Sequence, residues 1–65
     1  MKIQLNGEIT ETAAQTIAEL LRELNAPESG VAVALSGTVV RRAEWENKAI
    51  KDSDEIEIIR AVQGG

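Results

Sequence analysis

The 65-residue chain contains no cysteine, no histidine and no tyrosine. Without cysteine, it can form neither a disulfide nor a thiolate metal site, and it has no thiol nucleophile. Without histidine, it lacks the side chain that most often serves as a general base and as a metal ligand. These absences argue against a self-contained catalytic site. We therefore predict that the protein is not itself an enzyme and binds no metal.

The balance of charge is acidic, with a net charge of −4 and a pI of about 4.6. Nucleic-acid phosphates would be repelled by such a surface, whereas basic patches on protein partners would be attracted. The chain has no long apolar run, and Met1-Lys2 leads directly into an alternating pattern rather than a signal peptide. We expect a cytoplasmic protein of one small domain that binds neither nucleic acid nor a membrane.

The first twelve residues predict a β-hairpin. Met1, Ile3 and Leu5 alternate with polar residues, as in a half-buried strand. Asn6-Gly7 follows, and this pair favours a type I′ turn because both central residues of that turn need φ > 0. Residues 8–12 would form the second strand, at an edge of the sheet.

A helix is predicted to begin at Thr16. Glu19 stands three residues later, and the two side chains together could accept two of the unpaired N–H groups at the helix start, as in a capping box. Asn25 and Pro27 are expected to end the helix. One apolar stripe facing a core is predicted from the spacing of Ile17, Leu20, Leu21 and Leu24.

The remaining sequence predicts three more strands and two connections. The segments, in order, are a strand at 31–35, a turn at Ser36-Gly37, a strand at 38–40, a helical turn near 43–47, a turn at 52–54 and a strand at 56–62. The simplest closure packs the single helix across one face of a mixed sheet, with the last strand beside and parallel to the first. We therefore predict an α+β protein with a ubiquitin-like β-grasp fold of four to five strands.

The chain ends in Gly64-Gly65. Average glycine usage of about 7% would place two glycines there by chance in roughly one chain in 200. Such a tail is thin, and the four residues from Val62 onward would reach about 13 Å when fully extended. We predict a β-grasp domain over residues 1–61 and a flexible tail over residues 62–65 that presents the Gly65 carboxylate to a partner. The alternative is a frayed chain end with incidental glycines.

These features occur together in one known family. The shared segments are Asn6-Gly7, residues 33–37, residues 40–45, residues 52–54 and Gly64-Gly65. In this ordered set and over nearly its whole length, the sequence resembles the ThiS family of sulfur carriers. That family often has asparagine, proline and glycine where this chain has Ser36, Arg41 and Ser53. The related MoaD family has the same fold and terminal glycines, but its chains are usually longer.

The resemblance implies a mechanism that depends on partner enzymes. An E1-like adenylyltransferase of the ThiF type would guide Val62, Gln63 and Gly64 into its active site. It would use MgATP to adenylylate the Gly65 carboxyl group. Sulfur from a donor such as a cysteine desulfurase would then convert Gly65 to a thiocarboxylate. A thiazole synthase of the ThiG type would receive this sulfur, and the carrier itself would bind no cofactor.

A docking face can also be predicted near the root of the tail. If the last strand alternates, Ile59 and Ala61 project from the sheet face opposite Ile56 and Ile58. Exposed apolar residues of this kind, with Arg42, could contact a partner. The alternative is that a central strand is simply rich in β-branched residues.

Three other positions have both a structural and a functional interpretation. Trp45, the only aromatic residue, could cap one end of the core or contact a partner, and the core cap is favoured. Of Arg41 and Arg42, at least one is expected to be a solvated charge. Asp52 and Asp54 indicate a turn rather than a cation site, because no further spaced ligands accompany them.

Other functions remain open at the level of the sequence. A carrier with the same activation chemistry could instead supply molybdopterin synthesis, as MoaD-type proteins do, or act as another ubiquitin-like carrier or protein modifier. A non-covalent β-grasp interaction module, in which the terminal glycines have no role, belongs to a different class.

Overall fold

The computed structural model describes residues 1–26 and 29–60. Within them the elements follow the predicted order, and a short 3₁₀ helix, Arg42–Glu44, takes the place of the helical turn expected near 43–47. The strands and the α-helix are β1 (Lys2–Leu5), β2 (Glu8–Glu11), α1 (Ile17–Glu23), β3 (Val31–Leu35), β4 (Thr38–Val40) and β5 (Glu55–Arg60).

The five strands form one mixed sheet in the order β2-β1-β5-β3-β4. β1 and β5 are parallel, and the other neighbouring strands are antiparallel. The last strand therefore lies in the middle of the sheet beside the first, as the sequence predicts. β2 is an edge strand, also as predicted. The carboxyl end of the central strand is consequently the place from which the C-terminal residues continue.

Both hairpins turn through the same backbone geometry. The φ angles are 52° and 84° at Asn6 and Gly7, and 52° and 85° at Ser36 and Gly37. Positive φ at both central residues is the signature of the type I′ turn, whose twist matches that of the flanking strands. The second hairpin adopts this geometry although serine is a less favourable residue than asparagine at φ > 0.

The start of α1 differs in one detail from the predicted capping box. The Thr16 hydroxyl accepts a hydrogen bond from the Glu19 N–H at 3.2 Å, as expected. The Glu19 carboxylate, however, accepts from the N–H of Gln15, one residue before the cap, at 2.9 Å. Thr16 also forms an isolated antiparallel bridge with Ala49, so tertiary pairing fixes the chain just before the helix. Lys48 contributes to this pairing through its carbonyl, which accepts from the Ile17 N–H at 3.0 Å.

The end of α1 is a Schellman motif. The Ala26 N–H donates to the Leu21 carbonyl at 2.9 Å, and the Asn25 N–H donates to the Arg22 carbonyl at 3.1 Å. Asn25 lies at φ 56°, the left-handed conformation that this motif needs. The last residue of α1 is Glu23, and Asn25 terminates the helix as predicted, while Pro27 lies outside the described residues. Leu24 is 36% exposed, so the predicted stripe contributes three buried side chains rather than four.

The core lies between α1 and one face of the sheet. Trp45 closes one end of it, as predicted: its side chain is buried, and the indole N–H donates to the Val40 carbonyl at 3.0 Å. The least exposed large side chains of the core are Ile3, Ile17, Leu20, Val33 and Ile56.

One buried polar side chain ties the hairpin to the helix. Thr12 is 4% exposed, and its hydroxyl donates to the Glu23 carboxylate at 2.6 Å while accepting from the Ala14 N–H at 3.0 Å. Thr12→Val keeps the shape but removes both hydrogen bonds and leaves a buried N–H without its acceptor. We expect it to lower the free energy of unfolding by about 1–3 kcal/mol in urea denaturation, with an unchanged m-value.

Thr10→Val is the matched control for this substitution. Thr10 lies on the edge strand, and its hydroxyl donates to the Glu8 carbonyl in an exposed position. Because valine suits a strand and water can replace the lost bond, its effect should stay within about 0.5 kcal/mol. Equal losses in the two variants would contradict the role given to Thr12.

Candidate functional site

The predicted functional group is at the C-terminus, and β5 leads toward it. The predicted tail residues, Val62, Gln63, Gly64 and Gly65, lie outside the described residues, as does Ala61. The structure does fix the point from which they continue. Arg60 is the last residue of β5 and pairs with Val31 of β3, five residues before the terminal glycine.

The end of β5 is held from both sides. β3 pairs with it along nearly the whole strand, from Leu35 opposite Ile56 to Val31 opposite Arg60. On the other side, the Asn6 side chain accepts from the Ile58 N–H at 2.9 Å and donates to the Ile58 carbonyl at 3.4 Å. The sequence predicts Asn6 only as a turn residue. The one signal in the sequence for its contact with Ile58 is the use of asparagine in the turn, because asparagine tolerates φ > 0 and also carries an amide.

The sheet face away from α1 carries apolar side chains near this end of β5. Ala32 is paired with Ile59, and Ala34 with Val39. Ile59 is 59% exposed and Val39 is 68% exposed, whereas Ile58 packs against the core. The alternation predicted for the last strand is therefore confirmed over the described residues. We call Ala32, Ala34, Val39 and Ile59 the outer-face patch.

Carboxylates border this patch. Glu57 is paired with Ala34, and Glu55 precedes it by two residues on the same face of β5. Both side chains are exposed. An apolar patch next to acidic groups is complementary to an apolar surface flanked by lysine or arginine.

Arg42 lies on the other side of the molecule. It lines a groove beside α1 whose floor includes Leu21 and Trp45 and whose rim includes Arg22 and Glu46, which form an ion pair. The structure therefore does not bring Arg42 and Ile59 onto one face. The difference arises because the chain leaves the sheet after β4 and pairs with the start of α1, where the Ala18 N–H donates to the Trp45 carbonyl.

The turn at 52–54 confirms the structural interpretation of its aspartates. Asp52 accepts from the backbone N–H of Lys2 at 3.0 Å, and Asp54 accepts from that of Lys51 at 2.7 Å. Ser53 between them lies at φ 71°. Across residues 1–26 and 29–60, no group of three or more histidine, cysteine or acidic side chains is placed to hold a metal ion. The same residues include no helix of the length and apolar character needed to cross a bilayer.

A five-stranded mixed sheet with one helix on one face and the C-terminal strand in the middle defines a β-grasp protein. A sequence model of the ThiS family matches residues 3–65. The chain belongs to the ThiS family.

Two sulfur carrier proteins named ThiS are similar along nearly the full chain. The protein from Escherichia coli is 33% identical over 66 residues, covering 100% of both chains. The protein from Thermus thermophilus is 32% identical over 63 residues, covering 97% of this chain and 98% of the other. A thiazole synthase from Paramagnetospirillum magneticum is 33% identical over 66 residues. The similar region covers 100% of this chain and 20% of that protein.

A solved structure supports the same assignment. The crystal structure of the thiamine biosynthesis protein ThiS from Geobacter metallireducens has a TM-score of 0.85 and 28% identity, with 100% of both chains covered. The predicted fold and the predicted family are therefore both confirmed.

Proposed function

We propose that this protein carries sulfur in thiamine biosynthesis and that the Gly65 carboxyl group is the group that is activated. The observation that carries the proposal is the family match, which extends to the terminal glycine. The fold supports it, because β5 runs through the centre of the sheet and ends five residues before Gly65.

The chemistry follows from the poor reactivity of a carboxylate, whose delocalised charge makes its carbon a weak electrophile. A Gly65 oxygen attacks the α-phosphate of MgATP, pyrophosphate leaves, and an acyl-adenylate results. A persulfide sulfur then attacks the acyl carbon and AMP leaves. A thiol then attacks the donor's sulfur and forms a disulfide with it, the S–S bond to the acyl-bound sulfur breaks, and that acyl-bound sulfur stays on Gly65 as a thiocarboxylate. Dividing one difficult step into easier ones is the principle of covalent catalysis.

The catalytic groups in this scheme belong to partners. We assign adenylation to an E1-like enzyme of the ThiF type and the persulfide to a donor such as a cysteine desulfurase. The carrier would itself be neither an enzyme nor a cofactor-binding protein, and we place these encounters in the cytoplasm. The absence of cysteine from the chain means that no internal thiol can intercept the adenylate.

The acceptor we propose is a thiazole synthase of the ThiG type. One thiazole synthase contains a region similar to this entire chain within its own sequence. A carrier-like region joined to the synthase would raise the effective concentration of one for the other. This relative favours thiazole formation over transfer to molybdopterin.

The outer-face patch is the surface we propose for docking to the activating enzyme. It lies beside the end of β5, so a partner bound there would also be near the tail. Glu55 and Glu57 would attract lysine or arginine on that partner and add to the rate of encounter. Arg42, on the helix side, would contact a separate surface.

The length of the tail provides the first test. Removing Gly65, or adding one alanine after it, displaces the terminal carboxyl by about 3.5 Å. Because misplacement by about 1 Å can slow an enzymatic step about 100-fold, we expect at least that loss in ATP-dependent conversion to the thiocarboxylate. The measurement is intact mass after incubation with the activating enzyme, MgATP and a sulfur donor. Thr10→Val leaves the tail unchanged and is the control, and normal conversion of either length variant would refute the proposal.

The docking surface provides the second test. Ile59→Glu places a charge within the outer-face patch, and we expect it to weaken binding to the activating enzyme by at least about tenfold, as for a hot-spot residue. Titration calorimetry measures the affinity. Ile9→Glu is the matched control, because Ile9 is 74% exposed on the same sheet face but on edge strand β2. If both variants bind as the unchanged protein does, docking occurs elsewhere.

A further inference from the structure

We infer that Asn6 is a positioning residue for the reactive terminus, because its side-chain amide replaces the missing continuation of β1 beside the last residues of β5. The inference rests on the proposed function in one respect: the group being positioned is the Gly65 carboxyl group.

The replacement can be followed along the parallel ladder between β1 and β5. The Gln4 N–H donates to the Asp54 carbonyl at 2.8 Å, and the Asn6 N–H donates to the Ile56 carbonyl at 2.9 Å. Parallel pairing advances by two residues at each step, so the next group on β5 to be paired is Ile58. The chain cannot supply a strand there, because it turns away at Asn6 with φ 52°.

The amide of Asn6 provides what a continued strand would have provided. In a regular parallel ladder, the Ile58 N–H would donate to a backbone carbonyl of β1, and the Ile58 carbonyl would accept from a backbone N–H two residues further on. Here the side-chain carbonyl of Asn6 accepts from the Ile58 N–H at 2.9 Å, and its amide N–H₂ donates to the Ile58 carbonyl at 3.4 Å. One primary amide therefore offers the same acceptor and donor as two peptide groups. We call this pair of hydrogen bonds the Asn6 clamp.

The location of the Asn6 clamp gives it a consequence for the terminus. Among the described residues, its hydrogen bonds are the last that hold β5 from the β1 side, two residues before Arg60. β3 continues to hold the other side as far as Arg60. Holding the strand from both sides fixes β5 as far as Arg60, the residue from which the chain continues toward Gly65. A fixed origin lowers the ordering cost when a partner binds the chain end.

The second hairpin shows that the turn alone does not explain the amide. Ser36 occupies the equivalent position at the same φ of 52°, and its side chain takes part in no hydrogen bond within the described residues. The type I′ turn thus needs a residue that tolerates φ > 0, and it forms here without a side-chain amide. The contact with Ile58 is an additional property of Asn6.

Three variants separate the Asn6 clamp from the turn. Asn6→Gly keeps φ > 0 accessible and removes both side-chain hydrogen bonds. Asn6→Asp retains an acceptor for the Ile58 N–H and tolerance of φ > 0, but loses the donor. Ser36→Gly makes the same kind of change in the other hairpin, where no such contact exists. All assays use the full chain at a temperature at which each variant is folded by circular dichroism.

The first measurement is amide hydrogen exchange at Ile58, which needs no partner. We expect its protection to fall at least about tenfold in Asn6→Gly, to be largely retained in Asn6→Asp, and to be unchanged in Ser36→Gly, because the change is a local opening of β5. The second is the steady-state kinetics of activation by the E1-like enzyme. Asn6→Gly should raise the KM for the carrier by about three- to tenfold with little change in kcat, because tail ordering is a binding cost.

Rescue of KM by Asn6→Asp, together with an unchanged KM in Ser36→Gly, would support positioning by the side-chain acceptor that binds the Ile58 N–H. An unchanged KM in Asn6→Gly despite faster exchange at Ile58 would overturn the positioning role. An equal rise in KM for Ser36→Gly would overturn it as well, and unchanged exchange at Ile58 would overturn the clamp itself. If the unchanged protein is not activated at all, the proposed function fails, while exchange at Ile58 still decides whether Asn6 holds β5.

Discussion

Backbone hydrogen bonds join β5 to β1 on one side and to β3 on the other, and the rest of the structure depends on this pairing. β1 and β5 come from opposite ends of the chain, so their pairing joins both hairpins into one sheet on which the helix packs. Without it, two hairpins and a seven-residue helix would remain, and such short elements are marginal alone in water. The same pairing places the carboxyl end of β5 in the middle of the sheet, where a rigid scaffold can support the residues that follow.

Successive side chains of β5 alternate between a face that packs in the core and a face that is exposed to partners. Ile56 is fully buried and Ile58 packs against the core, whereas Glu57 and Ile59 face outward and are exposed. A change on one face can therefore alter binding without opening the core, because successive side chains in a strand point in opposite directions. This separation suits the proposed carrier, in which partners would supply the chemistry and the domain would stay folded while the chain end is modified.

Several features could be predicted from the sequence because they arise within a few residues. The hairpin at Asn6-Gly7 and the helix start at Thr16 depend on local backbone preferences and on capping, and both are present. The position of the last strand beside the first followed from the order of the elements. Family membership followed from an ordered set of segments that ends in Gly64-Gly65, and the family match extends to the last residue.

Other features depend on contacts between residues far apart in the chain, which local patterns do not specify. The Glu19 carboxylate accepts from the Gln15 N–H and does not complete the expected capping box. The residues just before the helix are held by backbone hydrogen bonds to residues 48–50. Arg42 and Ile59 lie on different sides because of the path taken after β4. The sequence by itself determined the turns, the helix start and the glycine terminus. Only the tertiary structure decided that the Asn6 amide would meet Ile58, which is 52 residues away in the chain, because the register between β1 and β5 brings these two residues together.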